Sequence, residues 1–240
     1  MNAEKIKVIC IPYAGGNKYS FRGLQTYLGK ELDCVTLELP GRGARLGEPL
    51  LLNLDLMVED LYQQLLPLLE QPYVLLGHSM GGILGNLLIH HLQKNTIELP
   101  LHFFVTGCAS PSQRNKRQKI HELDKQSFSE AIKALGGVPN NMLNSQELMD
   151  FFLPIIWADI ATLEQHQYQF AGKHEVPIIA IAGTEEAISE EELQGWGLET
   201  VAAFRALRYP GNHFFILQQF DRIAALIKNA IVHERWVTRY

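Results

Sequence analysis

Short, nearly continuous apolar runs alternate with helix-like segments along this chain, and this alternation constrains the fold more than any other feature. Strands buried on both faces of a parallel sheet have this pattern, because neither face meets water. Such runs begin at Lys7, Cys34, Tyr73, Leu101, Val176 and Phe204. Alternating strands and helices, joined by right-handed crossovers, predict an α/β fold with a mostly parallel central sheet.

One long stretch interrupts the alternation. Residues 110–173 contain no convincing strand pattern, and they include helix-like pieces and a basic run, RNKRQK. The chain length of 240 residues fits one α/β domain. We therefore expect a single domain over residues 1–240, with a helical insertion at about residues 110–173.

Composition excludes several classes of protein. The formal net charge of −5 lacks the strongly basic balance of nucleic-acid-binding proteins. The first apolar run is short and is broken at Pro12 and Gly15, so we expect no secretory leader, and no segment approaches the roughly 20 apolar residues of a membrane span. Neither HExxH nor CxxC occurs, so no metal site is expected. Reduced thiols at Cys10, Cys34 and Cys108 fit a cytoplasmic protein.

A serine lies between two glycines at the end of one apolar run. The sequence VLLGHSMGG places Ser79 between Gly77 and Gly81, directly before an apolar helix-like segment. GxSxG alone is a weak signal, but a strand-to-helix position is the context of a nucleophile elbow. The following helix directs its N–H groups and positive dipole end towards the site. Ser79 is therefore predicted to be a nucleophile, and an ordinary glycine-rich turn is the alternative.

A serine nucleophile needs a base and an acid, which follow the serine in the order acid, then histidine, in this fold class. His213 follows the last predicted strand in RYPGNHFF, where a loop histidine can act as the base. A capping or core histidine is the alternative interpretation. The acid is expected in the loop GTEEA, where Glu185 and Glu186 are candidates. Asp159 and Asp221 are less well placed.

Two backbone N–H groups are needed to bind the oxyanion of an acyl-transfer intermediate. One is expected from Met80, the residue after the nucleophile. The other is expected from Ala14 in the loop IPYAGG, because Gly15 and Gly16 permit close approach of the backbone.

The chain resembles a known family over essentially its whole length. The matching motifs, in order, are PYAGG at 12–16, LELPGRGAR at 37–45, GHSMGG at 77–82, LGGVP at 135–139, LPIIWADI at 153–160 and PGNHFF at 210–215. These motifs resemble the type II thioesterases that accompany nonribosomal peptide and polyketide synthases. The resemblance implies an α/β-hydrolase fold, a helical lid formed by the insertion, and no cofactor of its own.

The resemblance also implies an activity. Such enzymes hydrolyse acyl groups from the phosphopantetheine arm of acyl or peptidyl carrier proteins, which edits or off-loads the intermediates. Ser79 then matches the nucleophile, His213 the base, and Ala14 and Met80 the oxyanion donors. Carrier domains are the implied partners, with neither nucleic acid nor membrane, and a monomer is the default expectation.

Two positions depart from the family pattern. The family acid is usually an aspartate three residues after the strand-end glycine, and counting from Gly183 gives Glu186. Trp196 supports this register, so Glu186 is the predicted acid and Glu185 the fallback. Trp157 stands where the family commonly has arginine, which affects lid packing and substrate preference.

Apolar residues of the insertion are candidates for the wall of an acyl chamber: Phe151, Phe152, Ile155, Ile156 and Trp157. We expect Trp157, Phe152 and Ile156 to bind substrate, and packing of the insertion on the core is the alternative for each. The basic run has two interpretations: a contact for an acidic carrier domain, and an ordinary solvated surface.

Two other functions use the same features. A general carboxylesterase or lipase would use the same triad, but the PGRG and lid motifs argue against it. A non-catalytic carrier-binding module would have lost its triad, but the intact GHSMGG and PGNHFF motifs argue against that loss.

Overall fold

Six strands form one sheet in which every neighbouring pair is parallel. The computed structural model describes residues 5–116, 119–136 and 145–237. The strands are β1 Ile6–Ile11, β2 Leu32–Thr36, β3 Tyr73–His78, β4 Phe103–Thr106, β5 Ile178–Gly183 and β6 Phe204–Tyr209. Their spatial order is β2-β1-β3-β4-β5-β6, so β2 lies on one side of β1 and the later strands extend from its other side. The direction in which strands are added to the sheet therefore reverses between β1 and β3. Ligands of open parallel sheets bind at the carboxyl ends of the strands beside such a reversal.

Helices cover both faces of the sheet. They are α1 Leu24–Leu28, α2 Leu54–Leu65, α3 Met80–Lys94, α4 Lys125–Ala134, α5 Gln146–Gln165, α6 Glu190–Gln194 and α7 Phe220–Val237. Short 3₁₀ turns occupy Gly43–Arg45, Leu66–Leu68, Pro111–Lys116, Ile120–Glu122, Gly195–Leu198 and Phe215–Gln218. The predicted α/β-hydrolase fold with a mostly parallel sheet is confirmed.

The continuous apolar runs form strands because both faces of the sheet are covered. Strands β3 and β5 are buried at every position. Successive side chains point to opposite faces, so Leu75 belongs to the apolar layer under α2 and α3, while Leu76 belongs to the layer under α1 and α7. The sheet is therefore a rigid support for the loops at its carboxyl edge.

The segment between β4 and β5, residues 107–177, has no strand of the sheet among its described residues. Helices α4 and α5 pack together there through Phe128, Ile132, Met149 and Leu153. We call this segment the β4–β5 insertion. Much of the basic run RNKRQK, and most of LGGVP, lie outside the residues or side chains that the structure describes.

Within the described ranges, no helix combines the length and apolar character needed to cross a bilayer. Cys10 and Cys108 are buried and outside any disulfide, whereas Cys34 is partly exposed and its Sγ lies 3.6 Å from that of Cys10.

A buried polar network connects α3 with the chain before β5 and after α6. The Nδ1 atom of His174 accepts the N–H of Val176 at 3.2 Å, and its Nε2 lies 3.2 Å from Asn86 Oδ1. Asn86 and Tyr168 both donate to the buried carboxylate of Glu199, at 3.0 and 2.7 Å. Both His174 contacts fit a neutral imidazole with its proton on Nε2. Burial lowers the pKa of His174 to about 4 and raises the pKa of Glu199.

We expect the free energy of unfolding to fall as the pH drops from about 6.5 to about 4. Unfolded His174 binds a proton in this window and folded His174 does not, so the loss from this residue is about 3 kcal/mol. The contribution is complete above pH 6.5. Burial lowers the pKa of His78 and His90, which adds to the loss, while the raised pKa of Glu199 opposes it. Urea unfolding at pH 7 and pH 5 should show a smaller pH effect in His174→Gln. An equal effect in both proteins would contradict this account.

Candidate active site

Ser79 lies in a strained turn between β3 and α3. Its backbone has φ 55° and ψ −116°, which is unusual for a residue with a side chain. A Cβ at Gly77 would overlap the backbone of Gly81, and a Cβ at Gly81 would overlap the carbonyl of Ile11. The Ser79 N–H donates to Thr106 O at 2.9 Å, which anchors the turn to the neighbouring strand. The turn therefore presents the hydroxyl above the carboxyl edge of the sheet.

His213 lies in the loop that follows β6. Its Nε2 atom is 3.1 Å from Ser79 Oγ. The preceding residue, Asn212, shapes this loop, because its side-chain oxygen accepts the N–H of Phe214 and its carbonyl accepts the N–H of Phe215, both at 3.0 Å. Residues 134 positions apart in the chain therefore meet across the strand ends.

Glu186 lies in the loop that follows β5. Its Oε1 is 2.6 Å from His213 Nδ1, and its Oε2 accepts the N–H of Gly183 at 2.6 Å. The carboxylate is 3% exposed. Because a carboxylate accepts hydrogen bonds, Nδ1 carries the imidazole proton and Nε2 is left to accept the proton of Ser79. The structure thus brings Ser79, His213 and Glu186 into one hydrogen-bonded chain.

The other acidic candidates have different surroundings. Glu185 is exposed in the same loop, and its backbone N–H donates to Gly211 O at 3.0 Å. Asp221 is exposed in the first turn of α7. Asp159 is fully buried on α5 and forms an ion pair with Arg42.

A neutral aromatic wall supports the imidazole of His213. The rings of His78 and His213 have centroids 5.1 Å apart, and Tyr13 and Phe214 pack edge to face beside them. Burial lowers the pKa of His78 well below its usual range. His78 Nδ1 lies 2.9 Å from Thr106 Oγ1. The second histidine therefore adds no positive charge next to His213 at neutral pH.

The two predicted oxyanion donors follow neighbouring strands. Ala14 is in the loop after β1, where the N–H of Gly16 donates to Tyr13 O at 2.8 Å. Met80 is the first residue of α3, directly after β3. Strands β1 and β3 pair with Ile11 opposite Gly77, so the two loops leave the sheet side by side. Met80 directly follows Ser79, and the pairing of β1 with β3 brings the loop of Ala14 to the same edge of the sheet, which is compatible with the predicted role.

A cavity of about 800 Å³ opens at Ser79 and His213. Apolar residues from α3, α4 and α5 contribute to its wall: Ile83, Leu87, Ala134, Ile160 and Leu163, with Leu135 beside them. Ile83 and Leu87 come four and eight residues after Ser79, which places them on one helix face beside it. Sequence reasoning missed them, although this spacing was a readable signal.

The three residues predicted to bind substrate, Trp157, Phe152 and Ile156, do not line this cavity. Trp157 is 43% exposed, and its Nε1–H donates to His121 O at 3.0 Å. Phe152 packs edge to face on Phe151, and Ile156 packs against Gly15. Their role in substrate binding stays a prediction without support from this cavity. Within the described ranges, no cluster of three or more histidine, cysteine or acidic side chains is arranged to hold a metal ion.

A family model and a known relative both match nearly the whole chain. The family model for the thioesterase domain matches residues 6–231. The gramicidin S biosynthesis protein GrsT of Aneurinibacillus migulanus is 32% identical over 229 residues, which is 95% of this chain and 90% of that protein.

Solved structures give the same result. ClbQ from the colibactin NRPS/PKS pathway has a TM-score of 0.91 and 31% identity, over 97% of this chain and 99% of that one. The type II thioesterase BorB from the borrelidin biosynthetic cluster has a TM-score of 0.86 and 26% identity, over 94% and 92%. The chain therefore belongs to the thioesterase family, and its predicted resemblance to type II thioesterases is confirmed.

Proposed function

We propose that this protein is a serine thioesterase that hydrolyses acyl groups from the phosphopantetheine arm of acyl or peptidyl carrier proteins. Its role in nonribosomal peptide or polyketide synthesis would be to edit or off-load these acyl groups. One observation carries the proposal: the hydrogen-bonded chain Glu186–His213–Ser79 opens into a cavity of acyl size in a thioesterase-family fold. The names of GrsT, ClbQ and BorB support the biosynthetic setting.

Acylation of the enzyme is the first half of the reaction. His213 Nε2 takes the proton of Ser79 as Oγ attacks the thioester carbonyl carbon, and the N–H groups of Ala14 and Met80 stabilise the resulting oxyanion. The C–S bond then breaks, and the imidazolium gives the proton to the departing thiolate, which leaves as the free thiol. Glu186 stabilises the imidazolium while it exists.

Hydrolysis is the second half. His213 removes a proton from water as the water oxygen attacks the acyl-serine carbonyl. The C–Oγ bond then breaks, the proton passes to Ser79, and a free carboxylic acid leaves. Apart from the substrate and water, both steps use only side chains and backbone groups of this chain; the phosphopantetheine arm arrives with the carrier.

The β4–β5 insertion acts as the lid over the acyl group in this proposal. Its helices α4 and α5 supply Ala134, Ile160 and Leu163 to the cavity, while α3 of the sheet core supplies the facing wall. Segments that connect the elements of a rigid support commonly set specificity in this way.

The proposal also includes the organisation of the protein: one domain of 240 residues that works as a monomer, with a carrier domain as its partner.

The experiment compares one acyl group in two contexts. We expect kcat/KM to be at least about tenfold higher for the acyl group on a carrier protein than for its N-acetylcysteamine thioester, since carrier contacts add binding energy. The p-nitrophenyl ester of the same acid tests the carboxylesterase alternative. Equal or lower kcat/KM on the carrier would contradict carrier-directed hydrolysis. Carrier binding without any hydrolysis would favour the non-catalytic module.

A further inference from the structure

The buried carboxylate of Asp159 serves none of the proton transfers described above. We propose that Asp159, held by Arg42, is a positioning residue that fixes the oxyanion loop, residues 12–16, against helix α5. The inference rests on the proposed function, since it assigns a task to a residue beside the same site. It gives the PGRG motif and the aspartate of LPIIWADI one shared purpose.

Three distant segments meet at this carboxylate. Asp159 Oδ2 accepts the backbone N–H of Gly15 at 2.7 Å. Arg42 donates through one terminal nitrogen to Oδ1 at 2.9 Å and through the other to Oδ2. Its Nε–H donates to Pro40 O at 3.2 Å. The side chains of Arg42 and Asp159 are 3% and 0% exposed, so this contact is an interior one.

The contact acts on the peptide unit that directly follows Ala14. Gly15 has φ +77°, a conformation that few residues adopt, and a Cβ there would lie 2.5 Å from Ile156 Cγ1. Ile156 and Asp159 are three residues apart on α5, so one face of the helix both packs against the loop and accepts its N–H. Loss of the carboxylate leaves the loop free to turn its Ala14 N–H away from the oxyanion position.

A purely stabilising role explains this arrangement less well. Burying an ion pair is costly, and apolar side chains of similar size often stabilise a protein at least as much. An apolar pair, however, cannot accept the N–H of Gly15. Arg42 balances the charge of Asp159 and donates to both of its oxygens, while Oδ2 also accepts the N–H of Gly15. The pair is thus suited to hold one backbone group at a fixed place.

The test uses Asp159→Asn, which keeps the shape and one acceptor but loses the paired charge. We expect kcat on an acyl carrier protein to fall about 10- to 100-fold, less than the effect of removing an oxyanion donor outright, with KM changed less than about threefold. Arg42→Lys keeps the positive charge and should therefore lose less activity than Asp159→Asn. Asp150 lies on the same helix as Asp159 and forms an exposed ion pair with Lys125 of α4; Asp150→Asn is the matched control and should retain full activity.

A second measurement separates positioning from folding. An acyl trifluoromethyl ketone forms a hemiketal oxyanion with Ser79, so its inhibition constant reports the oxyanion site. We expect this constant to rise about 10- to 100-fold in Asp159→Asn, in parallel with kcat, while the thermal unfolding transition stays cooperative. If Asp159→Asn does not fold, Arg42→Lys replaces it, and its inhibition constant should rise by the same factor as its kcat falls.

Two results would overturn the inference. One is an unchanged inhibition constant in a folded variant. The other is a loss of activity that equals the loss of folded protein. A wild-type protein that the ketone does not inhibit at all would instead count against Ser79 as the nucleophile, which is a failure of the proposed function.

Discussion

Replacing Ser79 with alanine is expected to lower turnover of a carrier-bound acyl thioester on the order of 10⁴-fold or more, with little change in stability. The substitution removes the oxygen that attacks the thioester carbonyl in the proposed mechanism. It leaves the backbone contact of residue 79 with Thr106 O in place. Steady-state hydrolysis and thermal unfolding of the same preparation measure both effects.

A matched serine controls for the loss of a hydroxyl. Ser127 on α4 donates to Asp124 at the surface, and Ser127→Ala should keep full turnover. A fluorophosphonate probe should label wild-type protein once per chain and should not label Ser79→Ala. Normal turnover by Ser79→Ala would refute the nucleophile assignment.

The second large effect is expected at Glu186. Both of its oxygens accept from N–H groups, one on His213 and one on Gly183. A glutamine has one oxygen and one NH₂ group, so Glu186→Gln leaves one of these donors facing another donor. The favoured tautomer of His213 is lost, and turnover should fall about 10³- to 10⁴-fold.

Glu185 provides the control for this change. Glu185→Gln removes the same charge from the same loop, but its side chain is exposed, so turnover should stay within about twofold because surface charges have weak effects. Glu186→Asp should retain part of the activity, since it keeps both acceptors on a shorter side chain. Steady-state rates of the three variants decide the acid. Loss of turnover in Glu185→Gln alone would assign the role to Glu185.

Sequence predicted the parts of the molecule that depend on local signals. The apolar runs indicated buried strands; the fold confirms the strands, and burial is complete in β3, β4 and β5, whereas the edge strands β2 and β6 are partly exposed. The loops at residues 14, 79, 186 and 213 follow strand ends, and parallel strands bring their carboxyl ends to one edge of a sheet. Counting three residues from Gly183 selected Glu186, the glutamate that contacts His213.

Features that depend on packing between distant segments were beyond the sequence. Helix α5 is apolar over more than one face, so its sequence could not indicate whether Trp157 or Leu163 meets the cavity. The sequence indicated Asp159 only as a less well placed candidate for the acid, because its partner Arg42 lies 117 residues earlier. No local pattern predicts such a pair.

The carboxylate that ties α5 to the first loop limits how this enzyme can be re-engineered. Chimaeras that exchange the β4–β5 insertion between relatives are an obvious route to new acyl preferences. Asp159 travels with the transplanted helix, whereas Arg42 and Gly15 stay with the recipient. A transplanted insertion should therefore give an active enzyme only when donor and recipient have the same residues at all three positions.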